Sequence, residues 1–154
     1  MYSRSQESTL DTIGYEIEML RFCRERLDHG FPGQPEENSV FLEAFLLHFR
    51  NLVRFFSGIR PRPYDLSTAE AEAWAGRSLT QSEVQLFQVA AECLDEEYYQ
   101  SISKYLQHCT SLPQKEEHEW DINGMFEELN PIMQEFERRF LKAVSSAAQH
   151  VSAD

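Results

Sequence analysis

No uninterrupted run of about 18 apolar residues occurs in the chain, so nothing in it predicts a membrane-spanning helix. The opening residues, Met1-Tyr2-Ser3-Arg4-Ser5-Gln6-Glu7-Ser8, also lack the apolar stretch of an export signal, and a cytoplasmic location without a membrane partner is expected. Cysteine is scarce: Cys23, Cys93 and Cys109 form no CxxC pair, and their odd number cannot be fully paired within one chain. Reduced, mostly buried thiols are expected. None of the six glycines lies in GxGxxG, GxxxxGK[ST] or GxSxG, which argues against phosphate-cradling loops and nucleophile elbows. Basic residues are few as well. Against 26 Asp and Glu stand 14 Lys and Arg, a net charge of −12 that repels phosphate polymers and disfavours RNA as a partner. Arg21, Arg24 and Arg26, and again Arg50, Arg54, Arg60 and Arg62, leave room for a local basic patch.

What the chain has is aromatic bulk: eleven Phe and six Tyr in 154 residues, enough to build a core without disulfides or a structural metal. We read residues 1–154 as a single helical-bundle domain whose tail, 145–154, frays. The apolar period predicts a first helix from Ser8 to His29, ended by Gly30. A proline-containing loop, Phe31 to Glu37, precedes Asn38 or Ser39 as cap of a second helix, Val40 to Ser57. On that helix Phe41, Phe45, Phe49, Leu52 and Phe56 share one face, while Glu43, Arg50 and Arg54 point away and Asn51 lies on a flank. Ser67-Thr68-Ala69-Glu70 and Thr80-Gln81-Ser82-Glu83 both have the form of a capping box. The first opens a short helix through Trp74. The second opens a long one reaching Leu112, with a break near Asp95 as the alternative. Asp121 caps a last helix, and Pro131 predicts a kink or break near Asn130. The fold class is all-α: an antiparallel helical bundle with a central Phe-rich helix and a kinked C-terminal helix.

Chemistry leaves fewer traces. Carboxylate-bridged metals in bundles use Glu-x-x-His pairs, but the residues three before the five histidines are Arg26, Phe45, Tyr105, Lys115 and Ala147. There is no HExxH either, and neither a metal nor a cofactor is expected. His48 projects near the edge of the second helix's core face, and Lys104 and His108 are four residues apart on the long helix, so the three converge if those helices pack. The plainer reading makes His48 and His108 hydrogen-bonded boundary residues and Glu43, Arg50 and Arg54 a solvated face. Arg24 and His29 form a short R-x4-H match near the end of the first helix.

The strings Phe41-Leu42-Glu43-Ala44-Phe45-Leu46-Leu47-His48-Phe49-Arg50-Asn51-Leu52, then Phe55-Phe56, and later Ile102-Ser103-Lys104-Tyr105-Leu106-Gln107-His108, resemble the HEPN-type helical bundles of small bacterial proteins. The resemblance spans about half the chain, from Asn38 to Trp120. It implies a helical bundle, homodimerisation through helices and, in active members, metal-independent RNA cleavage by an Arg and a His in R-x4-6-H. No His follows Arg50-Asn51 at that spacing, and Arg24 to His29 carries the acidic Glu25 inside the pattern. The leading reading is therefore a HEPN-like, homodimeric, non-catalytic binding or regulatory protein, with Glu43, His48 and Lys104 as binding residues. The alternative is an RNA-cleaving enzyme with a split site of Arg50, Asn51 and His108, or else Arg24 and His29. A third reading, independent of the resemblance, is an acidic mimic whose carboxylates occupy the nucleic-acid site of a basic protein partner.

Overall fold

The computed structural model describes residues 6–30, 35–59, 62–106 and 119–141. Apolar residues at helical spacing place Leu10, Ile13, Ile17, Leu20 and Cys23 along one buried face of α1 (Gln6–His29), and Gly30, at φ 65°, stops it. Helix α2 is longer than its pattern indicated. It runs Pro35–Ser57, five residues earlier than Val40, so Asn38 and Ser39 lie inside the helix rather than capping it. The reason is Pro35: at the first helical position its missing N–H costs nothing and its fixed φ suits the turn.

Phe45, Phe49, Leu52 and Phe56 of α2 are completely buried. Gly58 follows at φ 77°, where L side chains are strained, and a Cβ there would meet Gln88 Nε2 at 3.1 Å. Gly58→Ala is accordingly expected to cost about 1–2 kcal/mol, read as a lower urea midpoint with an unchanged slope.

Ser67 accepts a hydrogen bond from the Ala69 N–H at 3.1 Å, opening a 3₁₀ turn (Thr68–Glu70) that leads into the short α3 (Ala71–Ala75). The piece is tied down from both sides. Trp74 donates its indole N–H to the Ser67 carbonyl at 3.0 Å, and Thr68 donates its hydroxyl to the Phe56 carbonyl at 2.8 Å. The Thr80–Glu83 capping box forms as the spacing indicated, and α4 (Gln81–Glu83) passes through a π-helical turn (Val84–Val89) into α5 (Ala90–Leu106). The irregularity of this helix thus falls at Val84–Val89, and the helix runs unbroken through Asp95. Residues 107–118, including Cys109 and the expected end at Leu112, lie outside the described residues.

Asp121 caps α6 (Ile122–Phe136) by accepting from the Gly124 N–H at 2.9 Å, and a π-helical turn (Glu137–Leu141) continues it. Pro131 is inside α6 without breaking it. Pairings between helices fix their directions. Tyr15 meets His48 and Phe22 meets Phe41; Phe49 meets Tyr98 and Phe56 meets Phe87. Tyr105 meets Trp120 while Phe87 meets Phe136, and Arg24 meets Asn123 while Arg21 meets Glu137. Each neighbour runs opposite to the last, so α1, α2, α4–α5 and α6 form an antiparallel bundle closed by α1 against α6. Among the described residues there is no strand, and no helix is long and apolar enough to cross a membrane.

Candidate functional site

Helix α2 carries most of the polar candidates, and its geometry sorts them onto two flanks. Toward α1, His48 Nδ1 lies 2.7 Å from Glu16 Oε2, with both side chains largely buried. Asn51 donates to the same carboxylate oxygen at 3.4 Å, and Tyr15 covers His48 edge-on with ring centroids 6.1 Å apart. Glu16 thus gathers His48 and Asn51 into one cross-helix cluster. Glu16 was not legible as a member, because its partners are 32 and 35 residues away and no helical spacing links them.

Toward α5, Arg50 takes the other flank. With Val40, Glu43, Ala44 and Leu47 of α2 and Ser103 and Leu106 of α5 it lines an open groove of about 520 Å³. Two groove residues are exposed apolar side chains, Val40 at 62% and Leu47 at 39%. Ser103 is buried at its hydroxyl, which has no hydrogen-bond partner among the described residues. Burial raises the Tyr105 phenol above its ordinary pKa, and the Glu43 carboxylate adds to the shift by repelling a phenolate. Lys104 is exposed on α5, and His108 lies outside the described residues. Of the expected catalytic set, then, Asn51 belongs with Glu16 and Arg50 with the groove.

The solvated-face reading of Glu43, Arg50 and Arg54 needs correction, because all three are half-buried. Arg54 reaches α5, where its Nε lies 2.8 Å from Asp95 Oδ1 and its guanidinium sits 3.6 Å from the centre of the Tyr99 ring. A long side chain on the flank of a helix covers the seam with its neighbour, which simple angular projection places in solvent. Burial pushes the Asp95 carboxyl above its ordinary value, and Arg54 works against that shift.

Arg24 and His29 do not meet each other. Arg24 crosses to α6, donating to Asn123 and Glu127 at 3.3 Å each, and His29 Nδ1 lies 2.7 Å from the Glu25 carbonyl. Cys23 is buried, with its thiol pKa raised by that burial, whereas Cys93 is exposed. Mostly buried thiols therefore describe Cys23 and not Cys93.

The densest polar cluster among the described residues centres on the capping-box residue Glu83, whose arginine partners were not anticipated. Glu83, almost wholly buried, accepts from Arg77 through both guanidinium nitrogens at 2.9 and 2.8 Å, and from Arg139 at 3.3 Å. Arg139 and Arg138 in turn hold Glu135. The Arg77 hydrogen bonds dominate in lowering the Glu83 pKa. It ties the start of α4 to the end of the α6 region, and we assign it to stability.

Compared with protein-family models, with curated proteins and with solved structures, the chain matches none.

Proposed function

We propose that this chain is a HEPN-like helical bundle that works as a non-catalytic binding protein, with the α2–α5 groove as its docking surface. The observation that carries the reading is the outer face of α2. Val40, Ala44 and Leu47 follow one another at i, i+4 and i+7, two of them exposed, with Glu43 and Arg50 beside them. Apolar side chains at that spacing between charged neighbours form the kind of surface that receives another helix. The competing enzyme reading needs Arg50 and Asn51 to act on one phosphate together with His108. Their side chains, however, engage opposite flanks of α2, and the Asn51 amide is held by Glu16.

The discriminating assay is incubation of the full chain with single-stranded RNA in the presence of a chelator. Intact RNA is the expected result. Cleavage by the wild type that is lost in both Arg50→Ala and His108→Ala overturns the reading in favour of the enzyme. A photo-crosslinking side chain in place of Leu47, activated in cells, is expected to give adducts with polypeptide; adducts with RNA alone would also overturn it.

A further inference from the structure

We infer that the α2–α5 groove receives an amphipathic helix from another protein, one that brings a carboxylate to Arg50 and Ser103 beside its own apolar stripe. This rests on the reading of the groove as a docking surface and names the chemistry of what docks there. The two anchoring residues line the groove from different helices, Arg50 from α2 and Ser103 from α5. Arg50 is half-buried, and among the described residues no acidic side chain pairs with it. The Ser103 hydroxyl is buried, and it too has no hydrogen-bond partner among them. Buried polar atoms are rarely left unpaired in a folded protein, so two such groups in one groove point to a shared ligand. A guanidinium can only donate, and a serine hydroxyl has one proton to give. A carboxylate accepts from both, and with Arg it forms a charge-assisted pair stronger than a neutral hydrogen bond.

The surroundings favour a carboxylate carried on a helix over a phosphate carried on a nucleic acid. Val40, Ala44 and Leu47 along α2, with Leu106 on α5, require apolar side chains to cover them. Glu43 stands seven residues before Arg50 on the same helix, about 10.5 Å along its axis. With the net charge of −12 it repels a run of phosphates, while a single carboxylate at the Arg50 end is accommodated. The lined stretch of α2 from Val40 to Arg50 is about 15 Å long, which about three turns of a partner helix match. A second α2 fits less well. Between two antiparallel copies, the register that sets Glu43 beside Arg50 is not the one that sets Ala44 beside Leu47, so charges and apolar stripe are not satisfied together.

A displayed library of helical peptides, about 15 residues long, randomised along one face and selected on the immobilised full chain, reads the preference directly. Binders are expected to carry apolar residues at i, i+4 and i+7 and an Asp or Glu within one turn of one end of that stripe. With a selected binder made as a free peptide, exchanging this acid for its amide is expected to weaken binding to wild type about tenfold. The same exchange should leave binding to Arg50→Ala unchanged, and Ser103→Ala should cost the acidic peptide a smaller factor. Circular dichroism checks that each variant folds. Binders with the apolar stripe but no acid preference, or an acid whose exchange costs as much on Arg50→Ala, overturn the inference and leave the docking surface standing. An absence of binders, or binders indifferent to Leu47→Asp, overturns the docking surface and the inference with it. Displacement of the peptide by a single-stranded RNA oligonucleotide overturns the inference in favour of phosphate. Self-association of the wild-type chain in sedimentation equilibrium that excludes the peptide overturns it in favour of a second copy.

Discussion

Phe136→Ala is expected to be the most destabilising single truncation in the bundle. The ring is fully buried and meets five others: Phe55, Phe56, Trp74, Phe87 and Phe140, with centroids between 5.1 and 6.0 Å. Those partners come from α2, α3, the π-helical turn before α5, and the turn after α6, so one side chain joins four other segments of the chain. Truncating a buried Phe to Ala costs about 3–5 kcal/mol through lost transfer energy and the cavity left behind. Neighbouring aromatic rings, stiff and mutually braced, leave little freedom to collapse into that space, which puts the site toward the upper end. Small domains have roughly 5–15 kcal/mol in total, and for a chain of this size each kcal/mol is worth about 2–4 °C. The melting temperature should therefore fall by about 6–20 °C. Tyr64→Ala, at a residue 76% exposed, is the control; its effect should stay within about 0.5 kcal/mol. Equal losses at the two positions would contradict the core assignment.

Features carried by local periodicity were legible in the sequence. The α2 face from Phe45 to Phe56, the Thr80–Glu83 box, the Asp121 cap and the all-α bundle follow from spacings of three and four residues and from capping chemistry acting within a single turn. The start of α2 was not, because proline is a loop signal in most contexts and a helix-compatible residue at the first position, and sequence alone does not distinguish the two. Long-range polar pairs were invisible for a different reason. Glu16 with His48, Arg54 with Asp95 and Glu83 with Arg139 are each separated by more than 30 residues, and their partnership depends on which helix packs beside which. The candidate site shows the same limit. That Arg50 and Asn51 share a helix was readable; that one turns toward α5 and the other toward α1 required knowing where both neighbours lie.

Glu83→Ala tests whether that unanticipated cluster matters, and the expected loss is about 3 kcal/mol, at the lower end for breaking a buried ion pair. Two contributions are removed together. The carboxylate accepts from the Thr80 N–H at 3.2 Å and so completes the capping box; losing a cap typically costs about 1 kcal/mol. It also neutralises Arg77 and Arg139 across a buried contact. The penalty is moderated because Arg77 is half exposed and can be hydrated, and because Arg139 keeps Glu135 at 2.6 Å. Acid supplies an independent reading. The Glu83 pKa is lowered in the folded protein, mainly by the Arg77 hydrogen bonds, so the unfolded chain takes up its proton at higher pH than the folded one. The stabilisation is therefore complete above the ordinary carboxylate value of about 4.3 and is lost as pH falls through the lower, folded value. Urea titrations of wild type and Glu83→Gln should show the largest difference near neutrality and a narrowing gap below about pH 4.3, where wild type loses what the amide never had. A gap that stayed constant down to strong acid would show that the charge of Glu83 contributes nothing, leaving only the shape of its side chain.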